Sequence, residues 1–228
     1  MNDSGRMKWQ MARFLQSLHR RNGLRAMLLV IYAVVVYRFL ISGMDPGVFI
    51  GMFRSSDSPF TPGLAYNMYA LAYALFGMAI PLEQFSEWLA VPECMVYVRR
   101  GRGPGRFLAY LLMITVYCVV YTLIQAVAQR IMFPDEDPVA FAGSAVCAAC
   151  VLLAAMLTAN LGYLSGSRIA GYFVVVVLLG LLMSFSEPQQ WLLAVGPLHV
   201  PNWMPAAILT ILICAAANLI AFNRMQIL

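Results

Sequence analysis

Six apolar runs, each close to the length needed to cross a lipid bilayer, constrain this chain more than any other feature: Ala26–Ser42, Leu64–Leu82, Phe107–Phe133, Val139–Leu164, Ile169–Ser186 and Ala206–Phe222. A hydrocarbon core about 30 Å thick takes roughly 20 apolar residues at about 1.5 Å rise each. No water reaches the backbone there, so each run must satisfy its own N–H and C=O groups as a helix. The 228 residues are 62% hydrophobic and 11% charged. A soluble domain cannot hide that much apolar surface. The runs predict an all-α membrane protein with six transmembrane helices in a single domain spanning 26–222.

The connections carry the remaining organisation. Within 1–25, Met7 to Arg21 reads as an amphipathic elbow helix, with Met7, Met11, Phe14, Leu15 and Leu18 on one face and Arg13, Gln16 and Arg20 on the other. Gly23 is expected to break it before the first span, and the basic lead-in followed by a span-length apolar run argues against a cleavable signal peptide. Gly43 to Gly63 holds turn residues and reads as an external loop. The stretch 83–106 is too polar for hydrocarbon and forms a cytoplasmic link. Pro134-Asp-Glu-Asp-Pro138 ends the third span in water. Segment 187–205, with four prolines and two tryptophans, is too short to span twice and too apolar for an ordinary loop. It reads as a broken external segment, re-entrant or interfacial, and 223–228 is a short cytoplasmic tail.

Orientation follows from the basic residues. Placing the N-terminus inside puts Arg6, Lys8, Arg13, Arg20, Arg21, Arg25, Arg99, Arg100, Arg102, Arg106, Arg168 and Arg224 in the cytoplasm, leaving Arg38, Arg54 and Arg130 near the outer side. Both termini are then cytoplasmic, in a multi-pass protein of the plasma membrane. The excess positive charge serves this orientation and contact with membrane lipids, and no nucleic-acid partner is expected.

The motifs favour structure over catalysis. The five cysteines are odd in number, and Cys147-Ala-Ala-Cys150 lies mid-span without a second pair or a nearby histidine, so packing explains it better than metal or redox chemistry. Gly101-Arg-Gly-Pro-Gly105 lacks the lysine and strand-to-helix setting of a phosphate loop and reads as a turn with a basic anchor. With two histidines, no HExxH, no GxSxG and no paired acids inside the spans, an enzyme is not expected, and a proton relay lacks its parts. Tyr66, Tyr69 and Tyr73 recur at helical spacing in the second span, as do Tyr117, Tyr121 and Gln125 in the third. They are weak candidates for a substrate path, and interhelical packing explains them better. Glu83, Glu87 and Trp88, followed by Glu93, Arg99 and Arg100, place acids, an aromatic and bases together on the link. That pattern suits either a docking helix or an interfacial segment.

The layout as a whole resembles the transmembrane subunit of an ABC-2 type exporter: an elbow helix before span one at Met7 to Arg21, a cytoplasmic link between spans two and three at Glu83 to Arg106, and a broken external segment before span six at Glu187 to Pro205. The chain's size and its Tyr97-Val-Arg-Arg-Gly stretch look like the short permeases of peptide, bacteriocin or antibiotic export and self-immunity. The resemblance implies pairing with a second permease, as a homo- or heterodimer, and with a separate ABC ATPase subunit that binds ATP and Mg. This chain would hold no cofactor of its own. Glu83, Glu87, Trp88, Glu93, Arg99 and Arg100 would contact that ATPase, and the outer segment is modest beside those of larger exporters. Two other readings remain: the substrate-binding membrane subunit of an energy-coupling-factor importer, and a membrane immunity or scaffold protein that acts by binding.

Overall fold

A computed structural model describes residues 22–42, 51–52, 63–81, 83–90, 104–135, 137–195 and 200–224. Regular structure among them is helical: α1 Asn22–Ser42, α2 Gly63–Tyr66, α3 Met68–Ala79, α4 Gln84–Ala90, α5 Pro104–Met132, α6 Pro138–Leu164, α7 Arg168–Ser184, α8 Ser186–Leu193 and α9 Trp203–Arg224. Val195 and Pro201 form an isolated antiparallel bridge. The predicted elbow helix at Met7 to Arg21 lies outside the described residues.

Four helices, α1, α5, α6 and α9, are long and apolar enough to cross a membrane, and a fifth crossing is reached if α7 and α8 are taken together, although they meet at 82°. The predicted second span is a shorter unit. Asn67, at φ −95° and ψ 12°, parts α2 from α3; both its backbone N–H and its side-chain amide donate to Gly63 O, at 3.1 Å and 3.0 Å. Helix ends follow their chemistry. Pro104 and Pro138 occupy first helical positions, where no N–H is needed. Asp137 caps α6 by accepting from the N–H groups of Val139 at 3.3 Å and Ala140 at 3.2 Å. The last helix starts earlier than its apolar run suggests, at Trp203, because Pro205 fits a first turn.

Helix α6 is the hub, packed against α3, α4, α5, α7 and α9. Its sequence explains the role: Ala148, Ala155 and Ala159 let neighbours approach closely, while Leu152 and Leu157 fill the space between them. The tightest approach is to α7. Ser165 to Ser167 turn the chain through Gly166 at φ +85°, and Gly162 of α6 then meets Gly171 of α7 backbone to backbone.

The apolar core is matched by a largely apolar exterior. Asn67, Thr122, Gln125, Gln129, Asn160, Gln189 and Asn218 are buried, while Ile131, Val139 and Ile169 are at least 75% exposed. Wide apolar surfaces are liabilities in water but are satisfied by lipid. The fold is therefore that of a multi-pass helical membrane protein.

Candidate functional site

The charged link is where function was expected to enter, and its described part is built into the bundle. α3 ends at Ala79, Pro81 follows, and Glu83 adopts φ +63°. A side chain in that left-handed region costs about 1–2 kcal/mol, so the turn must be held by its surroundings. It folds α4 back against α5 and α6, burying Gln84, Phe85 and Leu89 while Ser86, Glu87 and Trp88 stay partly exposed.

Three arginines from different helices tie this corner down. Arg25 of α1 donates through Nε to Ile80 O at 3.1 Å. Arg106 of α5 donates to Trp88 O at 2.6 Å, with its guanidinium 5.5 Å from the indole centroid. Arg168 of α7 pairs with Glu83 at 3.4 Å and lies 4.6 Å from the Tyr163 ring. An ion pair this exposed contributes at most about 1 kcal/mol, so the buried face of α4 and the bonds to backbone carbonyls do most of the anchoring. Arg224 lies near Ser165 at the same end of the bundle. At the opposite end α6 begins beside Asp137, and α8 carries Glu187.

Of the residues expected to contact a partner, Glu83 is paired within the chain. Glu87 and Trp88 lie on the partly exposed side of α4. Glu93, Arg99 and Arg100 fall outside the described residues. Sequence reading missed Arg25, Arg106 and Arg168 as anchors, although their positions at span ends were visible; only the fold supplies their partners.

The tyrosine stripes converge. The Tyr73 hydroxyl and Thr122 Oγ1 are 2.5 Å apart, Tyr121 donates to Tyr73 O at 3.2 Å, and Tyr117 donates to Gly77 O at 2.7 Å. Ring centroids of Tyr73 and Tyr121 are 5.1 Å apart, and those of Tyr117 and Tyr121 are 6.0 Å apart. Every hydroxyl in this cluster is spent on holding α3 to α5. Tyr69 instead packs edge-on against Phe39 of α1 at 4.9 Å. Tyr66 is half-buried at the end of α2, and Gln125 is buried on α5.

An apolar concavity lies toward the other end. A groove of about 210 Å³ runs between α7 and α9 with α6 as its floor, lined by Cys150, Ala154, Val175, Leu182, Leu192 and Trp203 among others. Its two hydroxyls are occupied locally: Thr158 donates to Ala154 O at 2.9 Å and Thr210 to Ala206 O at 2.8 Å. The groove therefore offers apolar contact and little polar recognition. Cys118, Cys147, Cys150 and Cys214 are free, and among the described residues no three His, Cys, Asp or Glu side chains gather as metal ligands would. Gly51 and Met52 lie within the bundle: Gly51 sits against the Tyr73 ring, and Met52 is buried in the apolar cluster that includes Phe39 and Trp203.

No family model, curated protein or solved structure matches the chain.

Proposed function

We propose that the chain is the transmembrane permease subunit of an ATP-binding-cassette exporter of the ABC-2 type. In this reading it crosses the plasma membrane six times with both termini cytoplasmic. The second crossing is α2 with α3, whose 17 positions from residue 63 to residue 79 extend about 25 Å as a helix; the fifth is α7. The observation that carries the reading is the gathering of Arg25, Arg106 and Arg168 around α4 and the turn before it, with Arg224 at the same end of the bundle. A bundle end rich in arginine is the cytoplasmic one under the positive-inside rule. It presents Glu87 and Trp88 on a short helix whose other face is anchored, as a coupling element requires.

ATP and Mg bind to a separate ATPase subunit that grips α4 and the rest of the 83–106 link. Closure of the ATPase pair pulls on α4, and the movement passes to α5, α6 and α7 through Arg106, the buried face of α4 and the Glu83–Arg168 pair. A nucleotide shifts the permease only as far as its affinity differs between the two states, so α4 must be held differently in each. A second permease, identical or related, completes the path. The substrate is a peptide, an antibiotic or another amphipathic molecule, for which the apolar groove between α7 and α9 is a better fit than the closed tyrosine cluster.

The rival importer reading expects a solute pocket near the outer face. The groove lies toward that face, but its hydroxyls are bonded to their own helices, which disfavours a polar solute. Isolation of the chain from native membranes in a mild detergent separates these readings from a stand-alone binding protein. An ABC ATPase should accompany it in stoichiometric amount, and full function of the chain without any ATPase would overturn the proposal.

A further inference from the structure

Beneath α4 the bundle holds a partly open cavity of about 20 Å³ lined by Glu83, Ser86, Tyr110, Asn160 and Tyr172 together with apolar side chains. Tyr110 of α5 is 0% exposed and Asn160 of α6 is 2% exposed. The Tyr110 hydroxyl and Asn160 Oδ1 have no hydrogen-bond partner among the described residues. A buried polar atom left in that condition is costly, and here two of them line one small cavity.

The cavity's size and the donor pattern define what belongs there. One water needs at least about 10–15 Å³ of this kind of space and two to four polar partners; a cavity of about 20 Å³ holds one and has no room for a phosphate or an organic molecule. Asn160 commits its Nδ2 to Asn218 Oδ1 at 2.7 Å, so its Oδ1 requires a ligand that donates. The Tyr110 hydroxyl can donate to the same ligand.

We propose that Tyr110 and Asn160 form an internal hydration site. A single water accepts from the Tyr110 hydroxyl and donates to Asn160 Oδ1, joining α5 to α6 beneath the seat of α4. Asn218 donates onward to Leu157 O and Cys214 O, both at 2.8 Å, so the water completes a polar chain from α5 through α6 to α9. Buried polar groups in a membrane bundle are expensive to leave open, and a water reaching them from the nearby Glu83 corner satisfies both. The inference stands independently of the transport reading.

The test is radiolytic labelling of the full chain in lipid nanodiscs, in which an X-ray pulse converts bound water to hydroxyl radicals that oxidise adjacent side chains. Met156 lines the cavity, whereas Met183 belongs to the apolar cluster at the other end. Met156 and Tyr110 should be modified several-fold faster than Met183, and the Tyr110→Phe/Asn160→Leu double variant should lose the excess at Met156. Thermal unfolding of Tyr110→Phe gives a second reading. Removing a hydroxyl that bonds water lowers Tm, by about 2–6 °C for a loss of this kind; removing one that bonds nothing leaves Tm unchanged or raises it. Equal labelling of Met156 and Met183, or an unchanged or higher Tm in Tyr110→Phe, overturns the site. A Tm that rises with sodium in the wild type and not in Asn160→Leu would also overturn it, in favour of a bound cation.

Discussion

Substituting alanine for glycine at two positions of α7 should have opposite effects, because only one of the glycines touches another backbone. A Cβ on Gly171 would lie 2.6 Å from Ala159 O, 3.0 Å from Gly162 Cα and 3.2 Å from Ala159 Cα. These are main-chain atoms of α6 and cannot rotate aside, so α7 must move outward along the whole crossing. Overpacking of this kind costs about 1–3 kcal/mol. Alanine recovers about 0.5–1 kcal/mol over glycine inside a helix, which leaves Gly171→Ala less stable by up to about 2.5 kcal/mol. A Cβ on Gly180 meets nothing within 4 Å, so Gly180→Ala keeps only the helix gain and should be more stable by about 0.5–1 kcal/mol. Reversible unfolding in mixed micelles, followed by far-ultraviolet circular dichroism, measures both. If Gly171→Ala matches or exceeds the wild type, α6 and α7 do not cross at these glycines and the hub role of α6 is wrong.

Three other perturbations have definite outcomes. Asn218→Leu strands the Asn160 amide and removes the bond to Leu157 O. It should cost about 2–3 kcal/mol from one unsatisfied buried group and the lost interhelical bonds, with Asn160→Leu/Asn218→Leu less destabilised than the sum of the single variants. Gly51→Ala forces a Cβ into the Tyr73 ring at φ +86° and should lower stability by about 1–3 kcal/mol, read as a fall in Tm. Arg106→Ala removes the bond to Trp88 O and the contact with its ring. Amide exchange over 84–90 should then accelerate at least several-fold while the α5–α6 core stays protected, since the cation–π contact and the charged hydrogen bond together contribute about 1–3 kcal/mol.

Apolar length was legible in the sequence because it depends on composition alone. The runs beginning at Phe107, Val139 and Ala206 became α5, α6 and α9, extended by a turn or less at their starts. The prolines at 104, 138 and 205 were read as boundary markers but lie in first turns, where their missing N–H costs nothing. Gly23, expected to break the chain, sits inside α1 near its start. The interruption at Asn67 was not legible, since it is a departure of one residue's backbone angles within an otherwise apolar helical run. Contacts that define the site were beyond any local pattern: Glu83 meets Arg168 across 85 residues and Asn160 meets Asn218 across 58. The tyrosine spacing located real interhelical surfaces at Tyr73, Tyr117 and Tyr121, and periodicity could not say that their hydroxyls would be paired within the bundle.

Whether α4 faces an ATPase can be measured directly by placing a photo-crosslinking amino acid at Glu87 in the full chain and irradiating native membranes. A permease coupled through this helix gives a single major adduct with an ABC ATPase, lost when the crosslinker is moved to lipid-facing Leu112. A transport-competent chain that gives no ATPase adduct from position 87, while Leu112 behaves identically, would contradict the coupling role of α4 and with it the exporter reading.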